Sequence, residues 1–135
     1  MTSWFTAADT VRTRFDTEIT QTLSVPTIHD NQDAAPPDNA LFVRFTIQPG
    51  ATRQLELGAS ARTFRSDWRA VASIFSPLAL GDAAVLQLAD NIATVYRATT
   101  VDEITYLTPS LGQLARSGDT WHMNVTIPFT VEALA

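Results

Sequence analysis

The side chains in this sequence whose types invite chemistry are few: two histidines and a scatter of carboxylates. His29 stands next to Asp30, Asp33 follows shortly after, and His122 lies far down the chain. Two imidazoles and a carboxylate can hold a divalent metal, but a site built on His29, Asp30 and His122 needs groups from separate elements to converge. Reading both histidines as surface or rim residues asks for less. Asp30 with Asp33, and Asp102 with Glu103, are close enough to act as acid and base, yet neighbouring acids in loops are ordinarily just solvated. Other chemistries lack their residues. There is no cysteine, hence no thiolate ligand and no thiol nucleophile. All nine cations are arginine, which removes Schiff-base and lysine-base catalysis. No serine sits in a nucleophile elbow, and the glycines at 50, 58, 81, 112 and 118 never approach a phosphate-cradling arrangement. We expect no enzyme activity, no cofactor and no metal.

The 135 residues suit one domain, 1–135, and a chain of that length buries roughly two thirds of the surface its unfolded form exposes. A net charge of −5 argues against affinity for a phosphate backbone, which depends on clustered cations. No apolar run approaches the ~20 residues that cross a bilayer, and the opening MTSWFTAADT lacks a basic region followed by an apolar one, so we expect synthesis in the cytosol and no membrane partner. Arginine without lysine has two readings, a GC-rich coding bias or planar donors for a protein interface.

The positioning elements follow from periodicity. Thr6 and Asp9 have capping-box spacing, and Ala8, Val11, Phe15, Ile19 and Leu23 then form one apolar helical stripe. Trp4 and Phe5 precede that cap and either pack under the helix or project to a neighbour. Pro26 ends the helix and puts Val25 to His29 in an edge or strand-start position. DNQDAAPPDNA is loop chemistry, Leu41 to Gln48 alternates as a strand, and Pro49-Gly50 leads into a polar excursion holding Leu55 and Leu57. From Arg62 to Phe75 the chain alternates again, with Phe64, Trp68, Ala70, Ala72 and Ile74 on one face and Arg65, Asp67, Arg69 and Ser73 on the other. A strand that long must bend, carry a bulge or overshoot its core. Asp82 caps a second helix with the stripe Val85, Leu88, Ile92, Val95 and Tyr96; at its end Thr94, Tyr96 and Arg97 read either as interface or as solvated residues, and Arg97 suits the negative helix C-terminus. Ile104 to Thr108 and Trp121 to Val131 close the series, with Pro128 marking an edge, a bulge or a strand end. The expected fold is α+β: an antiparallel or mixed sheet of four to five strands, two helices packed on it, and a long projecting hairpin.

The ordered pattern resembles the tail terminator proteins of long-tailed bacteriophages and phage-like particles. The resemblance rests on the helix VRTRFDTEI, the strand LFVRFTIQPG with its Leu-Gly excursion, the long strand ending AVASIFSP, the helix LQLADNIATVYR and the last strand WHMNVTIPF. It implies a structural virion protein. Such a protein forms a homo-oligomeric ring, usually a hexamer, that caps the tail tube, ends its polymerisation and joins tail to head. The implied partners are the major tail tube protein and a head-completion or connector protein. DNA would pass through the lumen without specific binding, and the protein would sit at the head-proximal end of the virion tail after assembly in the host cytoplasm. Rings of one chain use heterologous contacts, and the expected contact surface is Arg62, Phe64, Arg65, Asp67 and Arg69 with Gln54, Leu55 and Leu57. Six chains at −5 would carry about −30, which suits an acidic lumen that repels DNA.

Two other readings compete. One is a different head-to-tail connector or tail-completion protein. The other, from a different class, is a small α+β ligand-binding domain or enzyme with a pocket between sheet and helices that uses His29, Asp30 or His122.

Overall fold

The computed structural model describes residues 3–30, 40–54, 63–77, 82–97, 99–101, 103–113, 115–117 and 120–134. Helix α1 (Trp4–Phe15) starts a turn earlier than the Thr6 box predicts, because the Ser3 side chain takes the N-cap and accepts from the Thr6 N–H at 3.1 Å. Trp4 and Phe5 therefore lie in the first turn, where both are exposed instead of packing under the helix. The buried stripe is Ala7, Val11, Phe15 and Ile19, with Ala8 only half-buried and Leu23 exposed. Steps of four residues drift by about 40° per step on an α-helix. A π-helical turn (Asp16–Gln21) continues α1, and its wider winding lets Ile19 stay on the sheet side. Ser24, at φ 55°, closes the helix in the left-handed region, and the Val25 N–H returns to the Thr20 carbonyl at 3.2 Å. Pro26 follows that cap, as predicted.

Among the described residues nine strands make one mixed sheet: β1 (Thr27–His29), β2 (Phe42–Gln48), β3 (Thr52–Gln54), β4 (Thr63–Pro77), β5 (Thr100–Val101), β6 (Ile104–Tyr106), β7 (Ser110–Leu111), β8 (Ala115–Ser117) and β9 (Thr120–Leu134). The five anticipated segments correspond to β1, β2, β4, β6 and β9, and the expected count of four to five is corrected by four short additions of two or three residues each. They exist because β4 and β9, at 15 residues apiece, pair antiparallel along their whole length. Each long strand then has room for partners in tandem on its outer side: β2 and β3 beside β4, and β6, β7 and β8 beside β9. The main path across the sheet is β1-β2-β4-β9-β6-β5, with β1 joined parallel to β2. β3 and β4 form the expected hairpin, while residues 55–62 that connect them lie outside the described residues.

The tandem partners slip at adjacent levels, two residues apart in the β4–β9 register. Gln48 pairs with Arg69 and Thr52 with Ser66, so one residue more lies on the outer strand than on β4. Across the ribbon, Tyr106 pairs with Phe129 and Ser110 with Thr126, leaving the same excess. These are bulge-like interruptions, each marked by a proline, Pro49 and Pro109. Pro128 faces the second gap. Its carbonyl accepts from the Leu107 N–H at 2.9 Å, and its missing donor falls where the ladder is already broken.

Helix α2 (Ala83–Tyr96) packs on β4 and β9 through Val85, Leu88, Ala89, Ile92 and Tyr96. Both helices lie on the face that carries Trp68, Ala70, Ala72 and Ile74 of β4 and Val125, Ile127, Phe129 and Val131 of β9. Two side chains tie the helices together through hydrogen bonds. Arg14 donates from Nε and Nη2 to the Val95 carbonyl at 3.1 and 2.6 Å, so α1 supplies the cation at the α2 C-terminus that the sequence offered from Arg97. The Tyr96 hydroxyl, fully buried, donates to the Val11 carbonyl at 2.9 Å.

Burial, with the neighbouring Tyr106 second, holds the Tyr96 phenol well above its ordinary ionisation range. The folded chain keeps that proton while the unfolded chain loses it near pH ~10, so stability present below pH ~10 falls by about 1.4 kcal/mol per pH unit above it. In urea titrations at pH 8 and 11, Tyr96→Phe is expected to be the weaker protein by about 1 kcal/mol at pH 8, from the lost hydrogen bond. At pH 11 the gap should close or reverse, and an unchanged gap would mean that the folded chain gives up the Tyr96 proton as readily as the unfolded one.

Candidate functional site

Among the described residues no helix covers the sheet face opposite α1 and α2, and its charges gather at the end where β3, β4 and β9 run side by side. Strand register places Arg53, Arg65 and Glu132 in one row across the three strands. Arg65 Nη2 donates to Glu132 Oε1 at 2.5 Å, Arg53 approaches Asp67 at 3.8 Å, and Arg69 Nε donates to Gln48 Oε1 at 2.5 Å. The side chains of the Arg53–Asp67 pair are 62% and 52% exposed. Exposed pairs of this kind contribute about 0–1 kcal/mol, so stability of the fold does not account for the cluster. Its geometry is that of a flat surface with alternating charge, suited to specifying how another surface docks.

The charged cluster contains Arg65, Asp67 and Arg69, the stripe singled out from sequence. Gln54 pairs with Phe64, which is half-buried on the opposite face, and Arg62, Leu55 and Leu57 lie outside the described residues. Sequence reading missed Arg53, Glu132 and Gln48. Each becomes visible only through cross-strand register, which no local pattern encodes.

The histidine constellation does not assemble. His29 Nε2 donates to Asp16 Oδ1 at 2.8 Å on the helix side of the sheet, with its ring edge-on to Phe45. Asp30 accepts instead from the Ile47 N–H at 3.1 Å. His122 belongs to the opposite face, 5.4 Å from the Phe75 ring, which itself stacks on Phe42. Among the described residues no group of His, Asp and Glu is placed to hold a metal ion. Asp33 and Asp102, and with them the two acid pairs named from sequence, lie outside the described residues. Tyr96 is buried, and it serves the joint between the helices.

Two surface depressions are formed among the described residues. A cleft of about 120 Å³ between α2 and β7 is lined by Ala89, Asp90, Ala93, Arg97, Pro109, Ser110, Leu111 and Val125. That is well below the roughly 300–1,000 Å³ of small-molecule sites. A broad open groove of about 340 Å³ lies at the level of the ladder slip, lined by Gln48, Pro49, Gly50, Asp67, Trp68, Arg69 and Pro128. Neither includes His29, Asp30 or His122.

These features define a class: an α+β subunit with helices on one side of a mixed sheet and, on the other, a charged sheet face that no described helix covers. Within that class the chain belongs to the phage tail terminator protein family, whose model matches residues 7–129, all but six residues at either end. It is accordingly a structural protein of the virion tail. A solved structure that bears a sequence number in place of a descriptive name has a TM-score of 0.64 to this chain at 17% identity. The likeness covers 92% of this chain and 94% of that one, and it speaks to the fold alone. No sequence among the curated proteins matches. Among the described residues no helix is long and apolar enough to cross a membrane.

Proposed function

We propose that the whole chain, 1–135, acts as one tail terminator domain that assembles into a hexameric ring. The ring caps the tail tube, stops its polymerisation and joins the tail to the head. It meets the major tail tube protein on one side and a head-completion or connector protein on the other. DNA passes through its lumen without specific binding, and assembly takes place in the host cytoplasm before the ring becomes the head-proximal end of the tail.

The observation that carries this reading is the charged row on the sheet face opposite the helices, whose exposed ion pairs contribute little to folding. A heterologous contact between copies gives such a row a use, since alternating charge fixes register and rejects wrong pairings. The proposed contact takes in Arg62, Phe64, Arg65, Asp67 and Arg69 with Gln54, Leu55 and Leu57, joined by Arg53 and Glu132.

Reversing two of these charges tests it. Arg65→Glu with Arg69→Glu is expected to lower folding stability by no more than about 1 kcal/mol while abolishing ring formation in electron micrographs. Particles made with the variant should carry tails of uncontrolled length, or heads and tails left apart. Rings that form normally with both charges reversed would remove this surface from the contact.

A further inference from the structure

On the sheet face opposite the helices, pairing within the chain leaves two cations without an acid. Glu132 takes Arg65 and Asp67 takes Arg53, whereas Arg69 bonds the neutral Gln48 and Arg44 makes no ion pair among the described residues. Both unpaired arginines are exposed. Arg44 pairs with Ser73 and Arg69 with Gln48, so they stand four ladder positions apart, about 14 Å between Cα atoms. Midway between them Thr46 pairs with Val71, a half-buried apolar residue on the same face.

Helix α2 carries the opposite series. Its body, Ala83–Tyr96, holds no cation, and neither Asp82 at its N-cap nor Asp90 makes an ion pair among the described residues. The Asp82 side chain makes no capping bond either, so nothing within the fold uses its charge. Both aspartates are exposed, and eight residues set them about 12 Å apart along the axis. Leu86 stands midway, 37% exposed, off the buried stripe of Val85, Leu88 and Ile92.

We propose that α2 of one copy lies on this sheet face of the next, Leu86 over Val71 and the two aspartates against Arg44 and Arg69. The contact rests on the ring reading and names the surface that its charged face meets. The occupant is a second copy because sign and spacing match: acid, apolar, acid over about 12 Å meets cation, apolar, cation over about 14 Å. Lengths agree as well, since α2 runs about 21 Å and β2, the shorter strand beneath it, about 23 Å. α1 offers no such series, because His29 engages its Asp16, and Arg12 and Arg14 interrupt its acids. Patches on opposite sides of one subunit give the head-to-tail contact that a ring repeats.

Two variants test the contact, one with Arg44→Asp and Arg69→Asp, the other with Asp82→Arg and Asp90→Arg. Each sets like charges against each other and is expected to self-associate about a hundredfold more weakly than the unaltered chain in sedimentation. Mixed in equal amounts they again present opposite charges, and association should return as rings in which the two alternate. Either variant assembling alone like the unaltered chain, or a mixture no better than its parts, would overturn the contact. Circular dichroism checks that both fold. Should one not, Arg44→Gln with Arg69→Gln and Asp82→Asn with Asp90→Asn close a double-mutant cycle, in which additive losses overturn the contact and losses that overlap support it. Rings of the unaltered chain beside a failed mixture leave the ring reading standing. A mixture that grows into open chains keeps the contact and refutes the ring.

Discussion

Phe45→Ala is expected to cost about 3–5 kcal/mol, the upper end for removal of a buried aromatic ring. Phe45 is fully buried, and its centroid lies 4.3 Å from that of Phe15, the residue through which α1 rests on β2. The edge of His29 meets the same ring at 5.9 Å, so the side chain joins the helix, β1 and β2 at one point. Its cross-strand neighbour on β4 is Ala72, which has no length with which to fill the space a missing ring would leave. The cavity therefore stays open, and the loss includes dispersion as well as transfer free energy. Phe45→Leu keeps most of the volume and should cost less than about 1.5 kcal/mol. Urea midpoints of the two variants test the argument, which fails if they are alike.

Gly50→Ala, a change of one methyl, is expected to lower stability by about 3 kcal/mol, at or beyond the usual cost of overpacking. A Cβ at position 50 would fall inside the van der Waals envelope of the Asp67 carbonyl oxygen, a backbone atom. Asp67 cannot move aside, because its N–H donates to the Ala51 carbonyl at 3.0 Å and its residue pairs with Thr130 on the other side. Relief comes from β3 separating from β4, which also breaks the 2.7 Å bond between Thr52 and Ser66. Amide exchange at Asp67 should accelerate together with the drop in urea midpoint. Gly112→Ala is the control: its Cβ would stand 3.4 Å from the nearest atom, the Asn124 carbonyl oxygen, and should be tolerated within about 1 kcal/mol. Similar losses at the two glycines would show that closeness to Asp67 is not the cause.

Where side chains alternate over many residues, as along β4 and β9, sequence and structure agree on which face is buried. The stripe of α2 is equally clear because its apolar positions are large. At α1 the ambiguity lay in small residues: Ala7 and Ala8 carry no preference for either face, and Ser3 and Thr6 are both good caps. Strands of two or three residues such as β5 and β7 are too short for any period to register. They form because a long neighbour already offers its edge. The candidate site divides in the same way. Arg65, Asp67 and Arg69 could be assigned to the outward face from parity alone, whereas Arg53 and Glu132 joined them only when distant segments came into register. Pro49 and Pro128 are readable one by one as interruptions. That they and Pro109 interrupt the sheet at adjacent levels follows from pairing.

The pairing of β4 with β9 also sets the order in which the chain can fold as it is made. β4 emerges from the ribosome dozens of residues before the strand that will cover its entire inner edge, and until then its apolar face and unpaired backbone are open to any other extended chain. Contacts so distant in sequence close slowly. The interval between synthesis of residue 77 and residue 134 is thus when this protein most needs protection, and a nascent chain stalled within it would be a seed for aggregation.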